Sequence, residues 1–352
     1  MRCSVHFVLG LGTVAALGAL AEASTPVALP GPGPRARPDG YDVVRENARC
    51  EQCHQEIAAE WQSSLHRLAW DDPAFQSAYA LEAQSFCREC HAPEHDPEAV
   101  SNGARHIGVG CVTCHVQGEQ IIGARSISAS AGHHAVAGDA RLATTSACAS
   151  CHQFDFREPQ RALMQSTVDE HRASPYARET CQSCHMPTVE DAEGHSYRSH
   201  DFRVQGDTAL LSSAVRAEAR RLGDDGIVVS LRAGRVGHAF PTGDLFRRLE
   251  VRARIDGDGG PIAKPVVLAR RFAMIPGENG PTRIQVGDDR LPANGDPRHV
   301  ELHFGEEIRS RTVQWEVAYQ RMDGPMAQLF GIDPAKDEVI VARGTWSGER
   351  SQ

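Results

Sequence analysis

Cysteine and histidine carry the chemistry of this chain. Ten of its 11 cysteines fall in five copies of one pattern. The copies are Cys50-Glu51-Gln52-Cys53-His54, Cys87-Arg88-Glu89-Cys90-His91, Cys111-Val112-Thr113-Cys114-His115, Cys148-Ala149-Ser150-Cys151-His152 and Cys181-Gln182-Ser183-Cys184-His185. Two intervening residues let one turn of chain present both sulfurs to a porphyrin edge, where each thiol adds to a vinyl group. The next residue then brings its imidazole under the iron. The pattern predicts five covalently bound haem c groups, with the ten cysteines as thioether donors and His54, His91, His115, His152 and His185 as proximal ligands. Structural zinc would call for paired Cys-x-x-Cys units without an obligate histidine after each second cysteine. Thioredoxin-like redox motifs do not recur five times within so short a stretch.

Each iron has a second axial position. Of 17 histidines, setting aside His6 and the five proximal ones leaves His66, His95, His106, His133, His134, His171, His195, His200, His238, His299 and His303. That surplus argues for bis-histidine ligation, which lies at lower potential than His/Met ligation. The Gly/Ala/Ser-rich loop at 117–146 offers His133 or His134, with His134 preferred. His299 and His303 share one face of an element late in the chain and read as surface residues.

Several segments resemble the multihaem cytochrome c superfamily that includes the tetrahaem cytochrome of ammonia oxidisers, pentahaem nitrite reductase and hydroxylamine oxidoreductase. They are Trp61-Gln62-Ser63-Ser64-Leu65-His66, Gly108-Val109-Gly110-Cys111, and Cys184-His185-Met186-Pro187 followed by His200-Asp201-Phe202. The resemblance spans about residues 45–205. It implies that His66 and His200 are distal ligands. Gly237-His238-Ala239-Phe240-Pro241-Thr242-Gly243 resembles a motif that opens the β-domain of some bacterial multihaem cytochromes. His238 is thereby expected to reach back and cap a haem. The fifth distal ligand is left among His106, His171 and His95, with His106 taken into the expected set. Pentahaem nitrite reductases of this superfamily carry Cys-x-x-Cys-Lys at the active haem, and no such motif occurs here.

Five motifs between 50 and 185 leave few residues per haem, so the haems themselves must form much of that core. An aromatic content of only 6% agrees. Around the motifs the chain divides as follows. Arg2, the apolar run Phe7–Leu20 and the small-x-small site Ala21-Glu22-Ala23 read as a signal peptide over 1–23. Residues 24–40, rich in Pro and Gly, read as a flexible linker. Residues 41–205 form the expected pentahaem domain, mostly α and loop with little regular structure, including a helix from Glu56 to Trp70. Residues 206–352 lack cysteine and read as an antiparallel β-sandwich, with strands near 226–231, 249–255, 265–272, 283–286, 312–319 and 338–345.

A formal charge of −9 without a basic tract argues against nucleic-acid binding. No later segment is apolar enough to cross a membrane. The expectation is a periplasmic or extracellular electron-transfer protein, serving redox protein partners or a quinol-oxidising membrane complex. The alternative is an oxidoreductase acting on a small nitrogen or sulfur oxyanion at a haem with an open axial site.

Overall fold

The computed structural model describes residues 31–33, 35, 37–81, 83–96, 103–130, 134–155, 163–202, 204, 206–276 and 282–348. The expected signal peptide and the start of the linker lie outside the described residues. So does His133.

The motif-bearing part is built from short helices: α1 (Val43–Cys53), α2 (Gln55–Gln62), α3 (Pro73–Leu81), α4 (Ser85–His91), α5 (Cys111–His115), α6 (Ser146–His152), α7 (Thr167–Arg172) and α8 (Cys181–His185). Between them lie small ladders: β1 (Val116–Gln117), β2 (Gln120–Gly123) and β3 (Ala137–Gly138), then β4 (Gln153–Asp155) with β5 (Leu163–Ser166), then β6 (Thr188–Glu190) with β7 (Ser196–Arg198). The loop expected at 117–146 is thus partly laddered.

The helix expected over 56–70 stops at Gln62. The Ser63 hydroxyl donates to Glu60 O at 3.0 Å, and the Ser64 hydroxyl accepts from Arg67 N at 3.2 Å. These side-chain bonds offer the backbone an alternative to the next helical turn. His66 therefore sits on a turn rather than on a helix face.

The expected flexible linker also needs correction at its end. Gly33 N donates to Glu89 O (2.6 Å) and Arg35 N to Pro93 O (3.1 Å). The Arg37 guanidinium grips both oxygens of Glu94 (2.9 and 2.7 Å) and also donates to Val112 O and Val116 O. The Glu94 side chain is fully buried, and a buried carboxylate without a cation would be costly. Those contacts hold Gly33, Arg35 and Arg37 against the motif-bearing part.

After α9 (Thr208–Ser213) the chain is β-rich: β8 (Val215–Leu222), β9 (Gly226–Ala233), β10 (Arg248–Ile255), β11 (Val266–Ile275), β12 (Thr282–Asp288), β13 (Arg298–His303), β14 (Thr312–Gln320), the helix α10 (Gly324–Leu329), and β15 (Glu338–Ser347). Five strands run in the order β12-β11-β10-β14-β15, and three in the order β13-β9-β8, with every pairing antiparallel. Inward residues of both sheets share one core: Ile227, Val229 and Leu231 of β9, Val300 and Leu302 of β13, Leu249 and Val251 of β10, Val313 and Val317 of β14. The element carrying His299 and His303, open between strand and helix in the sequence, is the strand β13, and β8 is a strand that the sequence pattern does not announce. β8 reads Val-Arg-Ala-Glu-Ala-Arg-Arg-Leu, a composition that favours helix, and pairing with β9 overrides it.

The β-rich part packs on the motif-bearing part. Ala74 of α3 is buried against Met322, Ala327 and Phe330. Arg321 clasps both oxygens of Asp72 at 2.9 and 3.0 Å. Arg290, only 4% exposed, reaches Glu170 of α7 at 2.7 Å.

Candidate haem-binding site

Each Cys-x-x-Cys pair lies on a short helix, so residues three apart share a face and both thiols point the same way. The ten motif cysteines are free thiols rather than disulfides. Burial lifts the Cys114 thiol to about 11, where it stays protonated until it reacts.

Four of the proximal histidines face a second histidine. Ring centroids are 6.1 Å apart for His54 and His134, 6.2 Å for His152 and His66, 6.1 Å for His115 and His200, and 6.2 Å for His185 and His238. Two metal–nitrogen bonds of about 2.0 Å, each with about 1.1 Å from nitrogen to ring centre, span about 6.2 Å. The four gaps therefore fit an iron between two imidazoles. The planes within a pair differ: 74° for His54/His134, 50° for His66/His152, 44° for His115/His200 and 11° for His185/His238.

The outward nitrogens are held. Nδ1 donates to Ala69 O from His91 (2.6 Å), to Ile122 O from His115 (2.9 Å), to Ala135 O from His134 (3.2 Å), to Arg198 O from His200 (2.7 Å) and to Ala239 O from His238 (2.9 Å). From His152 it meets the Gln165 side-chain oxygen at 3.2 Å. A proton fixed on Nδ1 leaves Nε2 as the lone-pair nitrogen for a metal. Burial favours the neutral form of several of these histidines. It drives His66 down to about 3 and His185 to about 4, and lowers His54, His91, His152, His200 and His238 as well. Neutral imidazole is the ligating form.

Not every expected residue joins this set. His106 is exposed and bonds Asp71 Oδ1 at 2.7 Å, so it faces no proximal histidine. Its neighbour carboxylate at the surface holds it outward. His95 is buried beside Arg88, 3.5 Å from Nη1. His171 is buried on α7 against Gly237, and His195 pairs with Asp191 in the β6–β7 turn. His299 and His303 lie on the outer face of β13, exposed. Among the described residues no histidine lies across from His91. Phe75 instead stacks flat on its ring, with centroids 3.8 Å apart at 10°.

The turn bearing His66 is pressed against the residues before motif three. Val109 N donates to His66 O at 2.9 Å, and Trp61 Nε1 donates to Val109 O at 2.9 Å. Gly108 has φ +63°, and a Cβ there would lie 2.3 Å from His66 O. Only glycine permits both that conformation and that approach. A Cβ on Gly110 would meet Asn47 Oδ1 at 2.5 Å. The Gly-Val-Gly segment thus lets the turn bearing His66 dock on motif three and α1.

The motifs also touch through their thiols. Cys50 lies against Cys111, Cys90 against Cys151, and Cys148 against Cys181. Motif one adjoins motif three, motif two adjoins four, and four adjoins five. Three and four meet at Phe202, whose ring centroid is 4.2 Å from that of His66 and 5.9 Å from that of His200. Sequence reading missed this junction; the only signal was an aromatic two residues after each of His200 and His238.

Comparison with known proteins bears on the family and the fold. Residues 49–116 match the family described as cytochrome c554 and c-prime. No curated protein sequence matches the chain. The fold is similar to the crystal structure of a penta-haem cytochrome c552 from Thermochromatium tepidum, with a TM-score of 0.65 and 18% identity, covering 90% of this chain and 100% of that one. The family match and the fold likeness, with the cysteine pattern, support a multihaem c-type cytochrome.

Proposed function

We propose that this chain is a pentahaem c-type cytochrome whose role is to pass electrons between redox partners. The observation that carries the reading is the set of four histidine pairs at 6.1 to 6.2 Å, one beside each of four Cys-x-x-Cys-His motifs. Each bound haem would supply an iron that cycles between ferric and ferrous states. The chain's own part is to hold ligands, exclude water and set the order of the groups. The thiol contacts and the Phe202 junction support an order of motifs one, three, four, with two and five as branches from four. Motifs one and five lie at separate ends of that order, which suits docking of separate donor and acceptor. Partners would be redox proteins or a quinol-oxidising membrane complex. A periplasmic location, a signal peptide over 1–23, a haem domain over 41–205 and a β-sandwich over 206–352 complete the proposal. Among the described residues no helix is long and apolar enough to cross a membrane.

The test is the mass and spectrum of protein matured in a host that attaches haem c. Five haem masses on the polypeptide and four low-spin ferric signals are expected. Fewer than five haems in fully matured protein, or fewer than four low-spin signals, would overturn it.

A second reading has one observation in its favour: His91 faces no histidine among the described residues. The haem at motif two would then keep an open axial position, where a small nitrogen or sulfur oxyanion could bind and be reduced. Cyanide or nitrite shifting a high-spin signal that depends on His91, followed by steady turnover with a reduced dye, would favour it. A fifth low-spin haem would exclude it.

A further inference from the structure

Phe202 is an outlier in two respects. It has φ +46°, a left-handed conformation uncommon for a bulky residue and, among the described residues, shared by no other non-glycine residue. Its ring also stands between the distal candidates of two different motifs, tilted 57° to His66 and 89° to His200. Strain of this kind persists only where surrounding contacts over-determine it, and it concentrates at functional sites.

The surroundings supply that constraint. Glu60, near the end of α2 and six residues before His66, accepts from His200 N at 2.8 Å and from the Tyr197 hydroxyl at 3.1 Å. His200 Nδ1 is tied to Arg198 O, and Asp201 N meets the Ser199 hydroxyl at 3.3 Å. One carboxylate therefore binds the backbone of one distal histidine to the helix that leads into the other. With residue 200 fixed in this way, a left-handed turn at 202 swings the phenyl ring back between the two imidazoles. An extended residue 202 would carry its side chain away from both.

We infer that Phe202 is a positioning residue that sets the imidazole planes of His66 and His200 together, so that the ligand geometry of the fourth and third haems is coupled. The inference rests on the ligation proposed above. Both imidazoles neighbour the same ring, at 4.2 and 5.9 Å between centroids, so a turn of either one would change its packing on that ring. Their interplanar angles with their proximal partners, 50° and 44°, are the two closest of the four.

The experiment uses ferric holoprotein and its electron paramagnetic resonance, which reads the angle between axial imidazole planes. His66→Ala and His200→Ala first identify the low-spin signals of the two haems. Phe202→Leu is then expected to move the largest g-value of both signals together, leaving the signals of the His54/His134 and His185/His238 haems in place. Phe202→Tyr keeps the ring and should restore both. Phe202→Asn, which tolerates a left-handed backbone, removes the ring without the strain and should behave as Phe202→Leu does, even if the latter folds poorly. Unchanged signals, movement of only one of the two, or equal movement of all four would overturn the inference while leaving the ligation intact. If neither alanine variant removes a low-spin signal, the ligation itself fails, and the inference with it.

Discussion

Replacing Arg290 by leucine tests how the β-rich part would hold His238, the proposed ligand, against the haem region. Arg290 is 4% exposed. One guanidinium donates to Pro241 O (2.9 Å), three residues beyond His238, to Glu170 Oε1 on α7 (2.7 Å) and to both oxygens of Asp288 (2.9 and 2.7 Å). Asp288 is partly exposed and can regain water. The Glu170 side chain is only 11% exposed and would keep the Ser166 and Thr242 hydroxyls but lose this ion pair. Breaking a buried pair by removing one partner costs about 3–5 kcal/mol, and orphaning a buried carbonyl adds about 1–3 kcal/mol before relaxation. A net loss of about 4 kcal/mol is expected. In a unit of 150–250 residues each kcal/mol moves the melting temperature by about 2–4 °C, so the midpoint should fall by about 10 °C. Differential scanning calorimetry of holoprotein gives the number. Ferric spectra of the same sample should show the His185/His238 haem partly converted to high spin, because the turn carrying His238 has lost an anchor. Arg271→Leu, which removes an exposed pair with Asp289, should cost under about 1 kcal/mol and serves as the control. A fall of less than 2 °C for Arg290→Leu, or a fall equal to that of Arg271→Leu, would refute the reasoning.

Other expectations follow from the same geometry. His238→Ala should turn one low-spin ferric haem high-spin and expose the chain between 205 and 237 to limited proteolysis; unchanged spin and resistance would make His238 a turn residue only. Near-perpendicular imidazoles give the largest g-values, so the most extreme low-spin signal should belong to the His54/His134 pair at 74° and disappear in His134→Ala. Asp72 is pushed up by burial, but its hydrogen bond and charge contact with Arg321 outweigh this and hold it below its ordinary 3.8. The unfolded chain then binds that proton more readily than the folded one. The pair's stabilisation is therefore full above that value and is lost as pH falls toward the folded value. Acid titration of Asp72→Asn should show a shallower loss of stability in this window and a lower plateau at neutral pH; parallel curves would contradict the assignment.

The motifs were legible because their geometry is local. Cys-x-x-Cys-His needs one turn of helix, and the sequence contains it whole. The distal partners are a property of the folded chain. His134 meets His54 and His66 meets His152 across long separations, and no spacing rule connects them. His238 stands out in its Gly/Pro-framed turn and His66 by its resemblance to a family segment, whereas His106 is one of several equal candidates. Its outward pull comes from Asp71, and a single contact of that kind leaves no periodic trace. The strands of alternating pattern, such as Leu249-Glu250-Val251-Arg252-Ala253, announced themselves. β8 did not, because its Arg, Glu and Ala suit a helix until β9 lies alongside. The over-long helix expected through Trp70 fails at Ser63 and Ser64, where hydroxyls compete for the backbone.

The four histidine pairs have one more consequence, for how the chain can come apart. With iron in place, each pair is a strap across the polypeptide, spanning 54–134, 66–152, 115–200 and 185–238. Every span begins before the previous one ends, so the straps interlace like the links of a mail shirt. Extended unravelling between His54 and His238 would then require release of an imidazole. If the proposed ligation holds, reversible coordination would do for this chain what cross-linking does elsewhere, by restricting the unfolded ensemble. A chain with one strap cut is therefore expected to open as a block reaching to the next strap, not to fray from the cut.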